Sequence, residues 1–95
     1  MNYIDVVDNI INCCVQSKHN IIKIQMIIDS PFVDPNVTMM IGCILKDELG
    51  EGGIAIRYTK PLPVGVNFDD LQKTLNSKQF IDYMNVRLKK IKNIK

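Results

Sequence analysis

Aromatic side chains make up only 6% of this 95-residue chain, tryptophan is absent and there is one histidine. A single-strand nucleic-acid platform needs several exposed rings on which bases can stack, so this scarcity counts against one. His19 has no second histidine at ligand spacing, and the three cysteines, Cys13, Cys14 and Cys43, contain no Cys-x-x-Cys pair, so no zinc site is expected. An odd cysteine count with two neighbours adjacent also rules out a disulfide framework; these residues read as small apolar fillers in a reducing compartment. No run of about eighteen apolar residues is present, so no membrane span is expected. Asp5 stands where a signal peptide carries base, so the expected location is intracellular.

Acidic chemistry is equally sparse. The stretch Asp47-Glu-Leu-Gly-Glu-Gly-Gly53 has carboxylates that would repel phosphate and lacks the alternating oxygens of a calcium loop, so it reads as a hairpin turn. Asp29 and Asp34 flank a proline loop, but the third strand offers no carboxylate to complete a two-metal site. No catalytic residue, metal ligand or cofactor is therefore assigned, and the chain is read as a non-enzymatic protein.

What the chain does have is apolar pattern. With 46% hydrophobic and 23% charged residues it should fold, and its length suits a single domain spanning residues 1–95. A helix is predicted from about Tyr3 to Ser17, capped by Asn2 and Asp5, with a broad apolar arc that includes Val6, Val7, Ile10, Ile11 and Cys14. Alternation then predicts strands at Ile21–Asp29, Val37–Lys46 and Ile54–Thr59. Asn67 caps a helix around Phe68, Leu71 and Leu75, and Asn76-Ser-Lys-Gln79 reads as a break and a new cap, so that a last helix runs from Lys78 nearly to the end. The order α-β-β-β-α-α with short connections predicts an α+β fold, a three-stranded antiparallel sheet with helices packed on one face.

Strict period two puts Ile22, Ile24, Met26 and Ile28 on the helix-covered face of the first strand. The other face then holds Ile21, Ile27, Met40 and Ile44 among Lys23, Gln25, Thr38, Lys46, Arg57 and Thr59. Four large apolar residues on an uncovered face mark a contact surface, and a homodimer is the expected use. The competing reading is nucleic-acid binding. Arg87, Lys89, Lys90, Lys92 and Lys95 cluster at one end, and without residues 87–95 the chain carries 7 basic against 10 acidic groups. Together with Arg57 they could neutralise phosphates. On a helical wheel the lysines fan over half the circumference, as on an ordinary solvated face, while Arg87 falls inside the apolar arc and either snorkels or pairs with a carboxylate at a buried interface.

Ile, Asn and Lys contribute 34 residues against 12 from Ala, Arg, Pro and Gly, the usage of an AT-rich genome. In this overall character the chain resembles the orphan small proteins of archaeal rod-shaped, rudivirus-like viruses. The resemblance covers no motif and transfers no site; it implies a viral protein in an infected cell, with a host protein among its candidate partners. The order α-β-β-β-α also resembles that of the double-stranded-RNA-binding domain. Asn67-Phe-Asp-Asp70, however, puts acid where such domains carry a basic cluster, so that function is not expected.

Overall fold

The computed structural model describes residues 3–30, 34–47 and 50–93. Their order is α1 (Ile4–Gln16), β1 (Ile21–Asp29), β2 (Met39–Asp47), β3 (Gly50–Tyr58), α2 (Phe68–Leu75) and α3 (Lys78–Lys92). The sheet is antiparallel, with strand order β1-β2-β3. This is the predicted α+β arrangement.

Local chemistry explains the helix boundaries. The Asn67 side chain accepts hydrogen bonds from the backbone N–H groups of Asp69 and Asp70, and those two acids sit in the positive first turn of α2. Ser77 Oγ accepts from the Phe80 N–H to start α3. At α1 the N-cap is Tyr3, with no side-chain cap; the expected cap Asn2 lies outside the described residues. Between β3 and α2, the Val66 N–H closes a turn on the Pro63 carbonyl, and Gly65 takes φ +85° as a type II turn requires. Val64 is thereby left fully exposed at the corner.

One core joins all six elements. Val6, Val7, Ile10, Ile11 and Cys14 of α1, Leu71 and Leu75 of α2, and Met84 and Leu88 of α3 are buried against Ile41, Cys43 and Tyr58 of the sheet. Each fully buried aliphatic side chain of this size contributes about 1.5–3 kcal/mol. Helix α1 lies under β3, whereas α2 and α3 lie under β1.

Two expectations fail in β1 and β3. The outer-face placement of Ile21 and Ile27 is overturned: with Ile24 they are buried at every third position, at 0–1% exposure. The pairing of β1 with β2 slips between Ile21 and Lys23 and again between Ile24 and Met26. Each bulge adds a residue and turns a period of two into three. Met26, expected inside, is consequently 46% exposed. The glycine-rich stretch after Asp47 is not all turn, because Asp47 already pairs with Gly50 and β3 starts there, not at Ile54.

Candidate interaction surface

The register assigns the outer face directly. Lys23, Met26 and Ile28 of β1 stand opposite Ile44, Gly42 and Met40 of β2, which stand opposite Gly53, Ala55 and Arg57 of β3. The apolar stripe is therefore Met26, Ile28, Met40, Ile44 and Ala55. Met40 and Ile44 lie where expected; Met26 and Ile28 replace Ile21 and Ile27. Gly42 makes the stripe possible: a Cβ there would lie 3.1 Å from Met26 Cγ and 3.4 Å from Ile28 Cδ1, so both side chains fold across the space a larger residue would fill.

At the β2 start, the stripe opens into a cavity of about 290 Å³ whose walls include Ile28, Val37, Met40 and Ala55, with Asp34 and Arg57 beside them. Arg57 Nη1 stands 4.0 Å from Asp34 Oδ2, and the arginine side chain is 71% exposed. A pair that open to solvent contributes little to stability and leaves the guanidinium free to find a further acceptor.

The two edges of the sheet differ. On the β1 side the backbone is covered by side chains from α2, α3 and the segment between them. Asn85 Oδ1 accepts from the Ile24 N–H at 2.8 Å while its Nδ2 donates to the Ile24 carbonyl at 2.9 Å. Asn76 does the same to Ile27 at 2.7 and 2.9 Å, with Gln72 Nε2 adding a donor to the Ile27 carbonyl at 3.3 Å. Lys92 Nζ donates to the Ile21 carbonyl at 2.8 Å. Each asparagine amide thus replaces the peptide group of a missing neighbour strand. The clamped residues are the three buried isoleucines of the bulged phase. Along β3 there is no such cover: among the described residues, no side chain hydrogen-bonds to its backbone from Gly52 to Arg57.

The basic residues do not gather into one site. Arg87 forms an ion pair with Asp8 of α1 and lies 5.6 Å from the Tyr83 ring centroid; it does pair with a carboxylate, but within the chain and partly exposed, not at a buried interface. Hydrogen bonding to Asp8 raises its pKa further. Lys92 is spent on β1. Lys89 and Lys90 are exposed on α3, in the helical layer, whereas Arg57 is on the opposite side of the sheet. Lys95 lies outside the described residues.

The thiols occupy the core. Cys14 and Cys43 are buried and Cys13 is half-buried. Cys43 Sγ donates to the Ile41 carbonyl at 3.4 Å. Interaction with Cys43 together with burial raises the Cys14 pKa, the same interaction lowers that of Cys43, and burial raises that of Cys13. The raised values disfavour a thiolate at Cys13 and Cys14, and Cys43, though lowered, is buried in the core away from any substrate. Burial likewise raises the Tyr58 hydroxyl, which accepts from Asn9 Nδ2 at 3.4 Å. His19 is exposed just beyond α1. Among the described residues no three His, Cys, Asp or Glu side chains form a metal-holding group, and no helix is long and apolar enough to cross a membrane.

Sequence reasoning missed the two clamping asparagines. Asn76 was expected only as part of a helix break. Asn85, in the interior of α3, had a signal: asparagine is a poor helix former, and an unforced one in a well-patterned helix points to a hydrogen-bonding duty. The fold so defined is an open three-stranded α+β domain with one clamped and one bare sheet edge. No family model matches the chain, and neither a curated protein nor a solved structure shows significant similarity to it.

Proposed function

We propose that the chain is a small non-enzymatic binding and assembly protein that works as a homodimer, with the outer side of its sheet as the surface offered to a partner. The observation carrying this reading is the stripe of Met26, Ile28, Met40 and Ile44, for which no element among the described residues provides a covering layer. A sheet face of this kind is ordinarily solvated and polar, and a contiguous apolar stripe on it is a contact surface. Methionine suits such a surface because its flexible thioether adapts to different partner shapes. The partner class this chemistry selects is the apolar surface of another protein.

Two measurements test it together. Sedimentation equilibrium across the micromolar range should give the mass of a dimer, and an apolar fluorescent dye should bind the native protein and be lost on Met40→Asp. A monomer throughout that range overturns the homodimer. Absence of dye binding to the native protein overturns the open apolar surface.

A further inference from the structure

We propose that β3 pairs antiparallel with β3 of a second copy, about a two-fold axis through Ile54, to make one continuous six-stranded sheet. This rests on the homodimer reading above and specifies its geometry. An unpaired strand offers a row of backbone donors and acceptors to any extended chain, and proteins normally blunt it with bulges, charge or a covering element. Here β1 is bulged twice and clamped at Ile21, Ile24 and Ile27, whereas β3 pairs with β2 without any register slip and bears no clamp among the described residues.

Three features select a second copy as the occupant. β3 runs nine residues from Gly50 to Tyr58, so the register that overlaps the whole strand with itself is centred on Ile54. In that register half-buried Ile56 faces Gly52 of the second copy, once on each side of the axis, so a large residue meets a small one twice on the core side. On the outer side Gly53 meets Ala55, a seam low enough for the two apolar stripes to run together. Full overlap, size matching on the core side and a low outer seam thus coincide in one symmetric alignment.

Cross-linking tests the alignment in the full chain, on a Cys13→Ser background so that the remaining native thiols are the buried Cys14 and Cys43. Gly53→Cys/Ala55→Cys places two pairs of facing thiols across the axis. Position 53 accepts a side chain, since a Cβ there comes no closer than 3.6 Å to the Cys43 carbonyl oxygen and the residue has no positive φ. Mild copper-catalysed oxidation by air should give a covalent dimer, reversed by dithiothreitol. Ala55→Cys alone, whose thiols would be diagonal to each other, should give at least about five-fold less, because disulfide formation needs closely opposed Cβ atoms. A dimeric mass without enhanced cross-linking of the double variant overturns the edge pairing and leaves the homodimer reading standing. A monomeric mass overturns both.

Discussion

The two outer strands of this sheet face the same physical problem and meet it in opposite ways. On β1, three side-chain amides and a lysine satisfy backbone groups at Ile21, Ile24 and Ile27, and two bulges bend the strand away from a regular template. On β3 the ladder to β2 is regular over nine residues, and the small residues Gly53 and Ala55 occupy the middle of its outer side. The contrast teaches that edge protection here was not a general property of the sheet. It was installed where the helices pack, at positions whose side chains are also core, so closing the β1 edge and burying its isoleucines are one structural act. β3, with α1 beneath it and nothing beside it among the described residues, was left able to pair.

Removing the clamp should have the largest effect. Asn76→Ala/Asn85→Ala deletes the two bonds each asparagine makes to β1 and leaves both Ile24 backbone groups and the Ile27 N–H half-buried without partners, with Gln72 still donating to the Ile27 carbonyl. With a net value near 1 kcal/mol per bond, and the larger penalty for unmet buried groups, the double variant should lose about 2–4 kcal/mol in urea unfolding. It should also associate further, since β1 then becomes a second open edge. A loss below about 0.5 kcal/mol would show the clamps to be dispensable and the contrast between the edges to be only geometric.

Protecting β3 is the converse experiment. Ala55→Lys puts a charge at the centre of the bare edge, on its exposed outer face, in the manner natural edge strands use. Folding stability should change by no more than about 0.5 kcal/mol, as for other surface substitutions. The dimer should weaken at least ten-fold, about 1.4 kcal/mol, by sedimentation. Unchanged self-association would relocate the contact away from β3. Met40→Asp complements it, since Met40 lies one strand in from the edge: its replacement should abolish dye binding and weaken the dimer less than Ala55→Lys does.

These edges also mark where the sequence is and is not readable. The element order, the antiparallel sheet, the Asn67 cap and the start of α3 follow from local chemistry, because a cap or an alternating strand is encoded within a few residues of where it acts. Ile21 and Ile27 were misassigned because nothing in Ile-Ile-Lys-Ile-Gln-Met-Ile-Ile-Asp distinguishes a straight strand from one with two bulges. The choice is made by the partner strand and by Asn76 and Asn85, 49 and 61 residues away. Gly50–Gly53 concealed its strand for a related reason: glycine has low intrinsic strand preference, and β2 overrides it by pairing. The outer apolar surface survived that error because each bulge exchanged one large apolar side chain for another.

Lys92 offers the smallest and most local probe of the β1 side. Its ammonium donates to the Ile21 carbonyl at the beginning of the strand, so this lysine of a seemingly solvated basic helix end is the last stitch of the clamp. Lys92→Met keeps most of the aliphatic stem and removes the donor. The Ile21 carbonyl lies at the strand terminus, where water can replace a lost partner, so the cost should be about 0.5–1.5 kcal/mol, below that of removing both asparagines. Native-state hydrogen exchange can localise it, with Lys23 and Ile24 amides losing protection while those of β3 do not change. Equal loss on both edges would mean that Lys92 supports the whole fold and not the β1 edge. Loss confined to β1 would establish that the basic C-terminal helix contributes to closing one side of the sheet, leaving the other to a partner.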